Sequence, residues 1–475
     1  MSTPGAVSTD VIIIGGGIAG LKAALTLQDN DIPYILLEAQ DRLGGRLKTV
    51  KGQNGKYDIG ASWFHETLNN ALFDEENTLD DGKGPKWFYD DAPIRVIDQH
   101  GEVSPMLKLG SISNEIVRYV EMECYKNLDT DMSFHDTMVQ YLTERKHLLS
   151  DEQISRAIEY VRSLELWHGV DVQRLSAKYS PIDHEGRDAL ALNYDRVLAR
   201  HVNRLDNSSF KLSTPITSIE RLNHGRNVRV TAKNGTLYEA KYCIVTVPQS
   251  VLQIPQGETG HISFTPSLPK PIRDSLKTMH FGALGKVILE FDETFWPTDH
   301  ERVLALASAP KGFLEAIKNG TEVPKISGSV PQTWQYPILA LNFATSFSKP
   351  SLVVLTQSPV TDFLEANTDK AWPYLKPIIQ TMAKKTEIPT PSNVIVSDWT
   401  QNEFQRGSYT ACYPGDDPAA CVIAFESGFG NVRFAGEHTV LEGAGCVHGA
   451  WNSGKREANY IIEHIKTGYT GLNFG

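Results

Sequence analysis

At 475 residues the chain is too long for one simple hydrophobic core, which points to two sequential or intertwined domains. Its 46 basic and 57 acidic residues leave a net charge of −11, which argues against nucleic acid as a main partner and weakly favours a cationic small molecule. Five scattered cysteines (Cys124, Cys243, Cys412, Cys421 and Cys446) form no CxxC pair, so neither a disulfide framework nor a metal site is expected, and a reducing compartment is favoured.

The first elements come early. Val11-Ile12-Ile13-Ile14 reads as a buried strand, Gly15-Gly16-Gly17-Ile18-Ala19-Gly20 as a glycine turn, and Ile18 to about Gln28 as a helix. A second apolar strand ends at Leu36-Leu37-Glu38, with the carboxylate eighteen residues after Gly20. Each part suits a dinucleotide. Gly15 permits the turn, Gly17 lets amides approach a pyrophosphate, Gly20 lets helix and strand pack, and Glu38 is placed to bind a ribose hydroxyl. The helix directs its partly positive end at the phosphates. Residues 1–21 carry no Lys or Arg, so the apolar run lacks a signal peptide's basic flank, and its glycines break any membrane span. Asn-x-Ser/Thr sites at Asn207, Asn234 and Asn319 then read as chance matches, and the cytoplasm is the expected location.

A second glycine turn follows at Asp41-Arg42-Leu43-Gly44-Gly45-Arg46 and a third glycine element at Asp58-Ile59-Gly60-Ala61-Ser62-Trp63. Residues 74–104 are polar, with Asp80-Asp81-Gly82 and Asp90-Asp91, and suggest a connection plus short strands. Apolar residues at Ile112, Ile116, Tyr119 and Val120 make 111–167 helical. Strands are expected at Ile216–Ile219, Asn227–Ala232 and Tyr242–Val247, with a turn at Asn234-Gly235. Lys286 lies inside the apolar strand Leu284–Phe291; residues 310–333 read as a surface excursion. Arg433-Phe434-Ala435-Gly436-Glu437-His438 returns to glycine-rich chemistry before a helix from about Gly449 to Ile465.

Several of these blocks together carry a resemblance. Glu38-Ala39-Gln40-Asp41-Arg42-Leu43-Gly44-Gly45-Arg46 is similar to the extended signature of the FAD-containing amine oxidases. Phe434 to Thr439, Gly443-Ala444-Gly445 and Ser453 to Ala458 resemble that family's second flavin motif. Gly60–Trp63, Leu164–Gly169, His280–Val287 and Pro414–Pro418 resemble its yeast polyamine (spermine) oxidase branch, a group that also holds a yeast corticosteroid-binding protein. The resemblance implies an α/β fold: a discontinuous Rossmann-type FAD-binding domain (1–78, 195–270 and 425–475) and an α+β substrate domain with a mixed sheet (79–194 and 271–424).

It also implies site residues. FAD would meet Gly15, Gly17, Ile18, Ala19, Gly20, Glu38, Ala39, Arg46, Gly60, Ala61, Ser62, Trp63, Ile216, Trp399, Glu437, Gly445, Cys446 and Val447. It would be non-covalent, because Ser408 stands before Tyr409 where covalent relatives have a cysteine. Lys286 would assist oxygen activation or imine hydrolysis near the flavin; the plainer reading is a lysine snorkelling from a strand end. His65 would orient the amine or handle its proton. Trp167 and Tyr409 would hold an alkylammonium by cation–π attraction, with Cys446 where monoamine oxidases complete an aromatic cage. His184 resembles a channel histidine, and Asp90 or Asp91 would bind a distant ammonium unless they form a solvated turn. Asp188 and His448 stand where the relative has asparagine and tyrosine, so the pocket near the flavin differs. The expected reaction is oxidation of spermine or a related polyamine, with oxygen as second substrate and hydrogen peroxide as product. The alternative is a flavoprotein that binds a steroid-like apolar ligand. Monomer and homodimer both stay open.

Overall fold

The computed structural model describes residues 5–79, 87–127, 130–180 and 186–467; His184 lies outside them, as does the Asp80-Asp81-Gly82 turn. The α/β architecture rests on two main sheets. In the first, five parallel strands run in the order Phe210–Lys211, Tyr34–Leu37, Val11–Ile14, Tyr242–Val245, Val432–Phe434. Val11–Ile14 is buried throughout, as a central parallel strand covered on both faces must be. Its residues alternate between two cores. Val11 and Ile13 pack with the helices Ile18–Gln28 and Val447–Thr467, while Ile12 and Ile14 pack on another five-stranded sheet built around Ile216–Leu222 and Asn227–Ala232. Ile18–Gln28 starts where the glycine turn predicts. A Cβ on Gly20 would sit 2.0 Å from the carbonyl oxygen of Gly15, so only glycine lets the helix leave the strand this closely.

The second main sheet has seven strands in the order Asn393–Val396, Gly285–Glu290, Ser351–Thr356, Ile338–Asn342, Arg302–Ala305, Ile94–Asp98, Gly101–Glu102. It is mixed: Arg302–Ala305 runs parallel to Ile94–Asp98, and the other neighbours are antiparallel. One face packs on the helix Ala371–Ala383. The other faces helices Leu109–Lys126, Phe134–Arg145 and Asp151–Val161. The last begins with a capping box, in which Ser150 accepts from the Gln153 amide and the Gln153 side chain accepts from the Ser150 amide. Ile154, Ala157, Ile158 and Val161 form its buried stripe.

The stretch 310–333 is not wholly a surface excursion. Phe313–Asn319 forms a helix that buries Phe313 and Ile317 in the helical core, because two large apolar residues four apart meet on one face. Among the described residues no helix is long and apolar enough to cross a membrane.

Candidate active site

A cavity of about 490 Å³ extends from the glycine turn to Lys286. At the turn, Gly15, Gly17, Ile18, Ala19, Glu38 and Ala39 form its wall, with Ile216 and Val247 opposite the loop. Gly17 caps the Ile18–Gln28 helix without any side-chain hydrogen bond, and a Cβ there would meet nothing within 4 Å, so the first-turn amides face open space. Glu38 accepts from the Gly16 amide at 2.5 Å and the Gln40 amide at 2.8 Å, each oxygen keeping a lone pair for a ligand hydroxyl. Burial raises its pKa, with those two amides opposing the shift. The second glycine turn is held by Arg42, whose guanidinium donates to the carbonyls of Leu43, Gly45 and Leu47.

Arg46 belongs to the cavity wall. It donates to the Ser408 carbonyl and to Glu437, both at 2.8 Å. The second Glu437 oxygen accepts from the Thr410 hydroxyl at 2.8 Å and the Gly445 amide at 3.0 Å. Burial opposes the Glu437 charge, yet Arg46 and these donors hold its carboxyl below the usual range. One buried carboxylate thus ties the second glycine turn, the ribbon Tyr409–Ala411 and the lead into the Val447–Thr467 helix.

At the other end, Lys286 is only 3% exposed, and its position inside Gly285–Glu290 makes it no snorkelling residue. Its ammonium donates to the Asp58 carbonyl at 2.9 Å, the Gly60 carbonyl at 2.5 Å and the Ser62 hydroxyl at 2.5 Å. Burial pushes its pKa down to about 8, with the Asp58 carboxylate opposing. Burial likewise pushes Asp58 up to about 6, against donors from Thr49 and the Tyr194 amide. A Cβ on Gly60 would lie 1.9 Å from the Arg46 carbonyl oxygen, so the Gly60–Trp63 segment can follow this path only with glycine. Trp399 packs against Gly60 and donates to the Ile59 carbonyl.

The aromatic residues gather beside this lysine. The Trp63 ring lies 5.6 Å from the Lys286 ammonium, and its indole N–H donates to Asp90 at 2.8 Å. His65 stacks on Trp63 at 6.3 Å, meets the edge of Trp167 at 6.1 Å, and has Nδ1 3.0 Å from an Asp188 oxygen. Trp167, 46% exposed, stands at the rim, and the Tyr409 hydroxyl donates to its carbonyl at 2.5 Å. Burial raises both the Tyr409 phenol and the Cys446 thiol, keeping them neutral at physiological pH. The Ser408 hydroxyl donates to the Gly282 carbonyl and accepts from the Leu284 amide.

Not every expected residue reaches the cavity. Asp91 is exposed and pairs with Arg187 at 2.7 Å, and Gly20 supports the turn from behind. His448 is buried with Nε2 3.0 Å from Glu66; it is Glu66 that lines the cavity. Asp90 is no solvated turn: its side chain is 10% exposed and held by Trp63 and Arg302, because the short strand Ala189–Ala191 pairs with Trp63–Phe64 on one side and Trp87–Tyr89 on the other, uniting both segments in one sheet. Sequence reasoning missed Glu66, Arg302, Leu304, Leu339 and Leu355. Only the strand register brings the last four there.

Residues 18–462 match the family model described as flavin containing amine oxidoreductase. The chain is 38% identical over 493 residues to a corticosteroid-binding protein of Candida albicans, covering 98% of each chain. It is 28% identical over 475 residues to polyamine oxidase 4 of Oryza sativa subsp. japonica, covering 96% of this chain and 89% of that one. It is also 27% identical to a lysine-specific histone demethylase 1 homolog 3 of Oryza sativa subsp. indica, covering 96% of this chain but 54% of the other.

Proposed function

The chain belongs to the flavin containing amine oxidoreductases, and from that premise we propose that it oxidises spermine or a related polyamine at the Lys286 end of the cavity. FAD is the family's cofactor, and the residues fit it: uncapped first-turn amides at Gly17, a ribose-binding carboxylate at Glu38, and a continuous cavity ending at a buried lysine. Serine at 408 offers no thiol for a covalent bond, in keeping with non-covalent binding. Bound FAD would supply the redox chemistry, two-electron oxidation at the carbon beside the amine nitrogen with oxygen as final acceptor and hydrogen peroxide as product, and hydrolysis of the imine would give an amine and an aminoaldehyde.

The residues have separable roles in this reading. Glu38 binds the ribose and the glycine-turn amides bind the pyrophosphate. Trp63, Trp167 and Tyr409 flank the amine and exclude water, and an ammonium against such faces gains roughly 0.5–2 kcal/mol. His65, fixed by Asp188, takes the proton that must leave the nitrogen before oxidation. Lys286 positions water at the reacting centre. The observation that carries the proposal is this buried lysine, set beside a histidine and three aromatic residues at one end of a dinucleotide cavity.

Adding spermine to the yellow holoprotein under argon is expected to bleach its flavin absorbance. No bleaching with any polyamine would falsify the proposal. Glu38→Ala is expected to weaken FAD binding roughly 10- to 100-fold, the worth of one or two charge-assisted hydrogen bonds; flavin retained through dialysis measures it. A second reading is favoured by the corticosteroid-binding relative at 38% identity: a flavoprotein that binds a steroid-like ligand with little oxidase activity. Stoichiometric steroid binding without bleaching distinguishes it.

A further inference from the structure

The cavity floor at the Lys286 end is one row of residues crossing the seven-stranded sheet. Lys286 is directly opposite Leu355, Leu355 is opposite Leu339, and Leu339 is opposite Leu304. Directly opposed residues share a face of the sheet, and all four line the cavity. At about 4.8 Å per strand the row reaches ~14 Å from Lys286. Leu166 and Tyr160, from the helical layer, also line the cavity. The row ends beside Arg302, two residues before Leu304 on the same strand, whose guanidinium is 3.0 Å from Asp90 and donates to the Ala92 carbonyl at 2.5 Å. Ile94, opposite Arg302 and 40% exposed, marks the rim.

Charge is distributed unevenly around this floor. Two carboxylates of this part of the cavity wall are Glu66 and Asp90, and Asp90 lies at the far end of the row, 3.0 Å from Arg302 and neutralised by it. Glu66 sits beside His448 and follows His65, while Asp90 is engaged by Trp63 and Arg302. The sheet positions between Lys286 and Arg302 offer aliphatic carbon alone. Spermine carries a nitrogen after every three or four methylenes, so an arm laid along this row would set an ammonium on leucine, with hydration lost and no acceptor offered by the sheet.

We propose that Leu304, Leu339 and Leu355 determine specificity, selecting an amine whose sheet-side arm is an uncharged apolar chain of ~14 Å over one charged at both ends. The proposal rests on the amine-oxidising site described above and narrows its substrate class. An aliphatic arm would bury its methylenes on the leucine row, while the aminopropyl arm at the other side of the reacting nitrogen would face the Glu66 and His65 side.

The test compares two probes on the holoprotein under argon: spermine, and a secondary amine bearing one aminopropyl and one octyl arm. The concentration dependence of the flavin absorbance change gives an affinity whether that change is a band shift or bleaching. The octyl amine is expected to bind roughly 10-fold or more tightly than spermine, and this comparison needs no variant. Leu339 is only partly buried and lines the cavity, so a polar side chain there can be solvated from the cavity side. Leu339→Asp is expected to reverse the preference, and Leu339→Asn, of the same size without charge, to weaken the octyl amine without improving spermine. Tighter spermine binding in the wild type, or an unchanged ratio in Leu339→Asp, overturns the inference. If the octyl amine binds more tightly but nothing bleaches the flavin, the oxidase reading fails and the apolar trough stands.

Discussion

Lys286→Met will lower kcat/KM for amine oxidation by about 100-fold, in the range expected for loss of a positioned proton-handling group. It will also remove an inflection near pH 8 from the rate profile. Burial takes the lysine from its ordinary 10.5 down to about 8. Below that value the ammonium donates all three protons, to the carbonyls of Asp58 and Gly60 and to the Ser62 hydroxyl. Above it, the neutral amine keeps two donors and gains a lone pair, which can accept from a water in the cavity that Lys286 lines. A step needing the neutral amine therefore speeds up as pH rises through about 8 in the wild type and is flat in the variant. Stability carries the same sign. Between about 8 and 10.5 the unfolded chain binds more protons at this residue than the folded one, so the native state gains stability as pH rises across that window. The methionine variant lacks this gain. An identical inflection in both proteins would remove Lys286 from the chemistry.

The second large effect is expected at Glu437. Glu437→Ala leaves Arg46 without its anion and strips partners from the Thr410 hydroxyl and the Gly445 amide. Removing one member of a buried pair costs about 3 kcal/mol or more, so thermal unfolding should shift sharply downward. The protein should also be isolated colourless, since three cavity-wall segments lose their common anchor. Glu437→Gln keeps acceptor and donor capacity at the same place and should lose less on both measures. A yellow, fully stable alanine variant would show that the anchor is dispensable.

Much of this site was legible along the chain, and the physical reason is locality. The turn Gly15 to Gly20, the helix that follows and Glu38 are fixed by contacts within one βαβ unit. Lys286 stood out as a charge in an apolar strand, and its burial supplies the reason. What could not be read depends on partners far away in sequence. The leucine row exists because Leu304, Leu339 and Leu355 come into register with Lys286, and strand register is set by tertiary packing. Asp90 looked like part of a solvated acidic turn until Arg302, more than 200 residues later, took it up. His448 sat at a position suggestive of the pocket, but Glu66 claims its ring nitrogen. In each case the sequence displayed a side chain's chemistry without its partner.

The order of the parallel sheet has a consequence for how the polypeptide is made. Val11–Ile14 emerges from the ribosome early, yet one of its flanking strands is Tyr242–Val245, and the sheet closes only with Val432–Phe434. The helix Val447–Thr467 that covers the Ile18–Gln28 helix comes later still. At about 5–20 residues per second, the first strand waits roughly 20 to 80 seconds for its last companion. During that interval four aliphatic residues in succession, Val11 to Ile14, have no completed sheet to enter. The part of the cavity wall that Glu437 and Val447 supply is therefore complete only after this last segment has been made.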